Sequence, residues 1–384
     1  MNIFFLTAAT GGGHVKAAQA LMEHMEKQLP GCKTRLVDAL KYINPSIDRL
    51  ITGTYLNTVK ALPGLYGKFY DLSEKDETIT RLVRGLNNLL SHRLLQLFQD
   101  EMPDAVICTH TMPLQMMARL KKKGLVGIPV IGIVTDYTNH YFWKLDEIDA
   151  FIVAHECIKD DMVKMGLREN RIHVCGIPVA ERFAKEQTDR RICLARLGLE
   201  NKPTVLVMGG SLGLGNIGQV FRTLLYIKQD IQIVVVTGSN KKLRQQLDAI
   251  SADYENIRVL GYAENISELM SAANLIITKP GGITISEALV KRLPICIIDP
   301  IPGQEERNAK FLRDSGAAFR LTDRDDLEYL LEHTLLRPNV LKRMSEAAGR
   351  LAKPNACEEI SDLVERLVQN RTEDYCISQL SNSR

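Results

Sequence analysis

Short runs of consecutive apolar residues, each followed by an amphipathic helical stretch, recur along the whole chain of 384 residues. Such continuous runs are typical of parallel strands covered by helices on both faces, since strands with one exposed face alternate apolar and polar residues. The predicted strands span residues 2–8, 34–38, 105–109, 129–134, 149–154 and 172–176, and then 204–208, 231–237, 257–260, 275–278 and 294–299. The sequence therefore predicts an α/β fold with two Rossmann-like, doubly wound domains.

The domain boundary is expected in the polar, helical stretch between residues 183 and 201, which includes residues 190–197. We predict an N-terminal domain over residues 1–185 and a C-terminal domain over residues 186–370. Residues 371–384 are polar and are expected to form a loose tail.

Composition excludes several classes of protein. The formal net charge of +3 is too small to favour nucleic acid as a partner, although it is compatible with an anionic membrane surface. The eight cysteines form no C-x-x-C pair, and we expect reduced thiols in a cytoplasmic protein. The first residues are typical of a strand and not of a signal peptide. No apolar run reaches the ~18 residues that a membrane-spanning helix needs.

A long helical insertion, residues 38–97, is predicted between the second and third strands. Within it, residues 55–70 (YLNTVKALPGLYGKFY) combine aromatic, aliphatic and basic side chains without an acid. This composition suits a membrane interface, and the alternative is a helix pair packed on its own domain. The candidate membrane or acceptor contacts are Tyr55, Lys60, Leu65, Tyr66, Lys68 and Phe69.

A glycine-rich turn follows the first predicted strand directly, within TGGGHVKAAQAL at residues 10–21. Gly12 and Gly13 allow a ligand to approach the backbone closely. His14 then begins a helix at the carboxyl edge of the sheet, where open α/β sheets bind ligands. A helix N-terminus lowers the pKa of a histidine, which favours the neutral form that a general base needs. The alternative is a structural turn with a capping histidine.

Asp136 and His140 leave another strand end of the same domain, in GIVTDYTNHYFW at residues 132–143. We expect both at the same rim as His14, because carboxyl ends of parallel strands share one edge. Asp136 is a candidate to orient or activate an acceptor hydroxyl, or to assist His14, and His140 is a candidate contact of the acceptor. The alternative is a capping aspartate beside surface aromatic residues.

The first strand of the second domain leads into MGGSLGLGNIG at residues 208–218. We interpret Gly209, Gly210 and Ser211 as a backbone wall facing a diphosphate. Residues 213–218 also match G-x-G-x-x-G, but the next strand ends without the acid that holds an NAD ribose. An NADP site stays open as an alternative through three nearby cations, Lys241, Lys242 and Arg244. A purely structural turn is the other alternative.

The remaining donor candidates lie in TKPGGITISEAL at residues 278–289, in IDPIPGQEERNAKFL at residues 298–312, and at Tyr262. Amides at a helix N-terminus hold phosphates, a carboxylate takes ribose hydroxyls, and an amide with an acid takes sugar hydroxyls. The backbone around Tyr262 is a candidate to hydrogen-bond the flat nucleobase of the donor. The alternative is that this segment is a plain connection. In that order the candidates are Gly281, Gly282, Ile283 and Thr284, then Glu287, then Gln304 and Glu305.

Taken in order, these motifs resemble glycosyltransferase family 28, above all the monogalactosyldiacylglycerol synthases and processive diacylglycerol glucosyltransferases. The resemblance rests on GGGH at 11–14, VTD at 134–136 with His140, GIP at 176–178, GGS at 209–211, the Pro-Gly-Gly turn with Glu287, and PGQE at 302–305. It implies a GT-B fold, in which two Rossmann-like domains face each other across a cleft. A UDP-hexose would bind mainly the C-terminal domain and a diacylglycerol or glycolipid acceptor the N-terminal domain, with His14 as the base.

The implied activity is inverting transfer of glucose or galactose from a UDP-sugar to diacylglycerol, by an enzyme associated peripherally with the cytoplasmic face of the cell membrane. No cofactor is expected, because the UDP-sugar is a co-substrate, and no Asp-x-Asp motif precedes the donor site to indicate a required metal. The alternatives are a lipid II-type N-acetylglucosaminyl transferase, an NADP-dependent oxidoreductase and a non-catalytic sugar-nucleotide sensor.

Overall fold

The computed structural model describes residues 1–8, 12–46, 92–184, 189–211, 213, 215–225, 230–321, 334, 335 and 337–382, with isolated positions between 49 and 72. The chain divides into two compact units. The first unit comprises Met1–Ala180 and Asn355–Arg384, and the second comprises Glu181–Pro354.

The first unit contains a parallel sheet with the strand order β2-β1-β3-β4-β5-β6. Its strands are β1 (Asn2–Thr7), β2 (Lys33–Asp38), β3 (Ala105–Cys108), β4 (Val130–Ile133), β5 (Ala150–Ile152) and β6 (Ile172–His173). The helices between them are α1 (Gly12–Gln28), α2 (Ala39–Ile43), α3 (His92–Glu101), α4 (Thr111–Lys122) and α5 (Glu156–Lys164), with short 3-10 helices at Tyr141–Trp143 and Glu169–Arg171.

The second unit contains a parallel sheet with the strand order β12-β11-β10-β7-β8-β9. Its strands are β7 (Thr204–Met208), β8 (Gln232–Val236), β9 (Ile257–Leu260), β10 (Leu275–Thr278), β11 (Ile295–Ile297) and β12 (Ala318–Arg320). Its helices are α6 (Glu181–Ala184), α7 (Arg190–Arg196), α8 (Ile217–Leu225), α9 (Lys241–Ser251), α10 (Ile266–Ala272), α11 (Gly282–Val290), α12 (Gln304–Asp314) and α13 (Pro338–Leu351).

Each sheet has one point at which the strand order reverses. In the first sheet the chain goes from β1 outward to β2 and returns on the other side of β1 as β3. In the second sheet the reversal lies between β7 and β10. Ligands of open α/β folds bind beyond the carboxyl ends of the two strands at such a switch point. The fold therefore marks the loops after β1 and β3, and those after β7 and β10, as the candidate binding edges.

The predicted fold class of two Rossmann-like, doubly wound domains is confirmed, and each of the eleven predicted runs overlaps an observed strand. The sequence prediction missed β12. This strand has three residues and lies at the edge of its sheet, and two of the three, Phe319 and Arg320, are only partly buried. So short and mixed a run carries little of the apolar signal that a central parallel strand shows.

The division into units differs from the predicted domains. The second unit begins at Glu181 and not at residue 186, and the last helix, α14 (Ala356–Asn382), belongs to the first unit. Ile360, Leu363 and Val364 of α14 are buried in the same core as Ile3 of β1. An apolar helix face has to be covered, and sequence order does not say which sheet covers it. The backbone of residues 371–382 is also helical, where a loose tail was predicted.

Two sequence predictions concern a membrane: the lack of a spanning helix, and the contacts of residues 55–70 with a membrane surface. Among the described residues, no helix is long and apolar enough to cross a bilayer. The proposed membrane contacts Tyr55, Lys60, Leu65, Tyr66, Lys68 and Phe69 lie outside the described residues.

Candidate functional site

One candidate site lies in the first unit, at the β1/β3 switch point. Gly12 and Gly13 begin α1, and His14 follows in the first turn of that helix. The Nδ1 atom of His14 lies 2.8 Å from the backbone oxygen of Thr109, which directly follows β3. The same nitrogen lies 2.8 Å from the Oγ1 atom of Thr135, in the loop after β4. The helix start and two strand ends thus hold one imidazole.

These contacts define which ring nitrogen of His14 carries the proton. A carbonyl oxygen such as that of Thr109 only accepts hydrogen bonds, so Nδ1 is the protonated nitrogen and donates to it. In a neutral imidazole with a hydrogen on Nδ1, the lone pair is on Nε2. His14 therefore presents Nε2 as a proton acceptor.

The surroundings also keep His14 neutral. Burial lowers its pKa to about 4, although the hydrogen bond to the Thr109 carbonyl acts in the opposite direction. The ring of His110 lies 4.8 Å away, centroid to centroid, at an interplanar angle of 86°. Burial, and next the proximity of His14, hold the pKa of His110 well below its usual value. At neutral pH this edge therefore carries two uncharged imidazoles.

The other predicted residues of this edge take different places. Asp136 directly follows Thr135 and is partly exposed. His140 is buried, and its Nδ1 accepts a hydrogen bond of 3.1 Å from the Phe142 amide, which caps the short 3-10 helix Tyr141–Trp143. The roles of Asp136 in catalysis and of His140 in acceptor binding stay predictions.

Another candidate site lies in the second unit, at the β7/β10 switch point. Gly281 precedes α11, and no side chain of the described residues caps that helix. A Cβ atom built on Gly281 would have no neighbour within 4 Å, so the space before α11 is open. The amides of Gly282, Ile283 and Thr284 form the first turn there, and Glu287 of the same helix is buried. This helix start has the features of an anion site.

A buried ion pair, which the sequence did not reveal, joins the loop after β10 to the first turn of α12. The Nζ atom of Lys279 lies 3.2 Å from the Oε2 atom of Glu305, and their side chains are 10% and 13% exposed. The same Oε2 accepts a hydrogen bond of 2.7 Å from the Ile301 amide. Burial raises the pKa of Glu305, and the nearby Lys279 acts against that rise. The available signal was a lysine directly before the Pro-Gly-Gly turn.

The adjacent acid Glu306 has a different partner. Its two carboxylate oxygens accept hydrogen bonds of 2.7 and 2.9 Å from the guanidinium of Arg320 in β12. Gln304 begins α12 directly after Gly303, whose φ is 95°. Of the two consecutive glutamates, Glu305 therefore points to the β10 loop, while Glu306 joins α12 to the edge strand.

The glycine-rich loop after β7 packs against the turn after β8. A Cβ atom on Gly213 would lie 2.1 Å from the Thr237 carbonyl oxygen. The Ser211 carbonyl accepts a hydrogen bond of 3.0 Å from the Ser239 amide. Gly209 and Gly210 lie between β7 and this packed part of the loop, and a Cβ on Gly210 would meet nothing within 4 Å.

A carboxylate at the start of α8 argues against a dinucleotide site at the G-x-G-x-x-G motif of residues 213–218. The Asn216 amide, directly before α8, donates a hydrogen bond of 2.8 Å to the Oδ2 atom of Asp299. A dinucleotide phosphate would occupy that helix N-terminus, where the Asp299 carboxylate would repel it. The glycines at 213 and 215 serve the path of the loop, since both have positive φ.

Two further observations concern ligand binding. Tyr262, in the loop after β9, is 62% exposed and is accessible to a ligand. Within the described ranges, no three His, Cys, Asp or Glu side chains are grouped so as to hold a metal ion.

Two units, each built on a parallel six-stranded sheet with helices, are the architecture of a two-domain GT-B glycosyltransferase. Comparison with known proteins identifies the family. Residues 14–179 match the monogalactosyldiacylglycerol (MGDG) synthase family, and residues 204–367 match the glycosyltransferase family 28 C-terminal domain.

Two curated relatives are processive diacylglycerol beta-glucosyltransferases. The one from Bacillus licheniformis is 31% identical over 369 residues, covering 95% of each chain. The one from Bacillus cereus (strain AH820) is 32% identical over 375 residues, covering 97% of this chain and 95% of the relative. Among solved structures, Acinetobacter baumannii MurG superimposes with a TM-score of 0.62 at 17% identity, covering 95% of this chain and 99% of MurG, which supports the fold. The chain belongs to glycosyltransferase family 28, in the group of MGDG synthases and processive diacylglycerol glucosyltransferases.

Proposed function

We propose that this protein transfers a glucosyl group from UDP-glucose to the hydroxyl of diacylglycerol or of a glycolipid. The sequence motifs alone left glucose and galactose equally open. Glucose is favoured because the two relatives that match over nearly the whole chain are named diacylglycerol beta-glucosyltransferases.

The observation that carries the proposal is the state of His14. Its Nδ1 hydrogen is directed at the Thr109 carbonyl, and its pKa is lowered to about 4 by burial. At neutral pH, Nε2 therefore carries the lone pair that can accept a proton. We assign it the proton of the acceptor hydroxyl as that oxygen attacks the anomeric carbon, and Asp136 the orientation of the acceptor. General bases contribute roughly 10²–10⁴-fold to such reactions.

The donor is assigned to the second unit. The N-terminus of α11, with Gly281, Gly282, Ile283 and Thr284, would hold the diphosphate and stabilise the charge that develops on the leaving UDP. Attack opposite the diphosphate inverts the anomeric centre and gives a β-linked sugar from an α-linked donor. We propose further donor contacts in the same unit. Glu287 would hold the ribose, and Gln304 and Glu305 would hold the sugar. The diphosphate would also contact Gly209, Gly210 and Ser211, and the nucleobase would contact the segment at Tyr262.

The lipid acceptor is assigned to the first unit, with Gly12 and Gly13 near the headgroup. We propose that residues 55–70 dock on the anionic cytoplasmic leaflet and that the enzyme is peripheral there. Replacing Lys60 and Lys68 by glutamate is then expected to reduce transfer on vesicles more than hydrolysis of free UDP-glucose. Equal losses in the two assays would contradict this role.

The proposal is tested with the purified protein and diacylglycerol vesicles. UDP-glucose, UDP-galactose and UDP-N-acetylglucosamine are supplied in parallel, each with and without EDTA, and both UDP release and lipid product are measured. The expected result is lipid-dependent UDP release with UDP-glucose and a glucosyl lipid as product. A product only with UDP-N-acetylglucosamine would favour the lipid II-type alternative. No product from a folded protein that binds the vesicles would overturn the assignment.

A further inference from the structure

The imidazole of His14 is held on its Nδ1 side by two oxygens of unlike origin. The Thr109 oxygen belongs to the backbone, so no side-chain substitution removes it. The Thr135 oxygen belongs to a side chain that is 5% exposed, and it lies at the same distance of 2.8 Å from Nδ1. Because the Nδ1 hydrogen is already directed at a carbonyl, the Thr135 oxygen accepts from it as a second, shared acceptor.

Both oxygens belong to uncharged groups. When Nε2 takes a proton, the ring becomes an imidazolium and its Nδ1–H becomes a charged donor. Hydrogen bonds from a charged donor are shorter and roughly twice as strong as those between neutral groups. The contact with Thr135 is therefore stronger in the protonated form of His14 than in the neutral form. Because His14 gains its proton during the transfer, this contact strengthens towards the transition state, and such an interaction accelerates a reaction.

We propose that Thr135 is a positioning residue of the transfer reaction, which orients the His14 imidazole and stabilises the imidazolium that forms as the acceptor loses its proton. The inference rests on the proposed role of His14 as the base. It assigns a function to a threonine whose hydroxyl would otherwise be a minor contact at a strand end. The titratable group that faces His14 among the described residues is His110, whose ring packs edge to face against it.

The first test compares Thr135→Val, which keeps the shape of the side chain, with Thr135→Ser, which keeps the hydroxyl. We expect Thr135→Val to lower kcat about tenfold, equivalent to 1.4 kcal/mol, with the KM for UDP-glucose unchanged. The acidic limb of its pH–kcat profile should move to lower pH, because the protonated form of His14 loses an acceptor. Thr135→Ser should restore both quantities. If Thr135→Val does not fold, Thr135→Ala replaces it.

A kcat and an acidic limb equal to those of the wild type in a folded Thr135→Val or Thr135→Ala protein would overturn the inference. A fall in kcat that serine does not rescue, or one without a shift of the limb, would also overturn it, because it would indicate a merely structural role.

The second test needs no activity. Nitrogen-15 NMR of histidine-labelled protein, with His14→Gln to assign the signal, reports which nitrogen is protonated. We expect a protonated Nδ1 in the wild type, with a shift that changes in Thr135→Val and returns in Thr135→Ser. Protonation at Nε2, or a signal insensitive to Thr135, would contradict the hydrogen bond itself. If the wild type transferred no sugar while the NMR result held, the proposed function would fail and the geometry would stand.

Discussion

His14 lies at a switch point, has a defined tautomer and is uncharged at neutral pH because its pKa is lowered. A helix N-terminus at a strand end provides the position. The carbonyl of Thr109 fixes the tautomer, and burial lowers the pKa. None of these properties requires a carboxylate beside the ring, and the oxygens that lie near Nδ1 in the described residues come from two threonines.

The lowered pKa predicts how stability depends on pH. Burial lowers the pKa of folded His14 from 6.5 to about 4, so the unfolded chain binds more protons between these values. The contribution of this group to stability is then fully present above pH 6.5 and is lost as the pH falls towards 4. The free energy of unfolding of His14→Gln relative to the wild type should change across this window and stay constant above it. The exposed His92→Gln is the control, and parallel curves for His14→Gln and wild type would contradict the prediction.

The sequence could predict the position of His14 but not its partners. A glycine-rich turn after an apolar run places a residue at the sheet edge by a rule of topology. Thr109 ends one predicted strand and Thr135 directly follows another, yet threonine at a strand end is common and carries no signal of its own. Which backbone oxygen faces an imidazole depends on the twist and register of β1, β3 and β4. These are set by packing and are not visible in spacing.

At the scale of elements, a buried ion pair joins the first turn of α12 to the turn before α11. Lys279 directly follows β10, and Glu305 binds both its ammonium and the Ile301 amide. This arrangement fixes Glu305 near the open start of α11. The sequence motif predicted Glu305 as a sugar contact but did not indicate Lys279. A single lysine beside a turn is most often an exposed surface residue.

The consecutive glutamates of α12 provide a matched pair of substitutions. Glu305→Gln leaves the buried Lys279 without its anion, which typically costs about 3–5 kcal/mol, and it should also weaken UDP-glucose use. Glu306→Gln breaks a pair with Arg320 whose side chains are 38% and 33% exposed. Such pairs contribute about 0–1 kcal/mol. Urea unfolding and UDP-glucose KM measure the two effects, and a larger loss at Glu306 would contradict this account.

Substitutions at two glycines are expected to affect different properties: ligand binding at Gly281 and stability at Gly213. Gly281 has a φ of −75° and open space at its Cβ position, whereas Gly213 has a φ of 59° and faces the Thr237 carbonyl. Gly281→Ala should leave stability within about 0.5 kcal/mol, but it should weaken UDP-glucose binding about tenfold because its methyl enters the proposed diphosphate space. Gly213→Ala should destabilise by about 1–3 kcal/mol. Calorimetric titration and thermal unfolding give both readouts, and unaltered binding by Gly281→Ala would argue against a diphosphate there.

At the scale of the whole molecule, the chain forms two Rossmann-like units, and its last helix returns to the first of them. The alternation of apolar runs and helical stretches was sufficient to predict both sheets except for the edge strand β12. Central parallel strands are buried on both faces, so they appear in the sequence as continuous apolar runs. The path of α14 was not predictable in this way. Its apolar residues indicate a buried face, but the choice between two sheets depends on complementary surfaces far away in sequence.

The placement of α14 yields a test of its own. Ile360 is fully buried in the core shared with β1 and β3. Ile360→Ala should destabilise the first unit by about 2–5 kcal/mol and leave UDP binding, which we assign to the second unit, intact under native conditions. The exposed neighbour Glu359→Ala is the control, and thermal unfolding with UDP titration is the measurement. Ile360→Ala and Glu359→Ala proteins of equal stability would contradict the packing of α14.

The most direct test of the account compares wild type and His14→Gln for glucose transfer from UDP-glucose to diacylglycerol vesicles, with UDP binding measured on both proteins. The account predicts a loss of kcat of roughly 10²–10⁴-fold, the range for removal of a general base, with UDP affinity unchanged. Transfer by His14→Gln at the rate of the wild type, in a protein that binds UDP normally, would show that His14 is not the base.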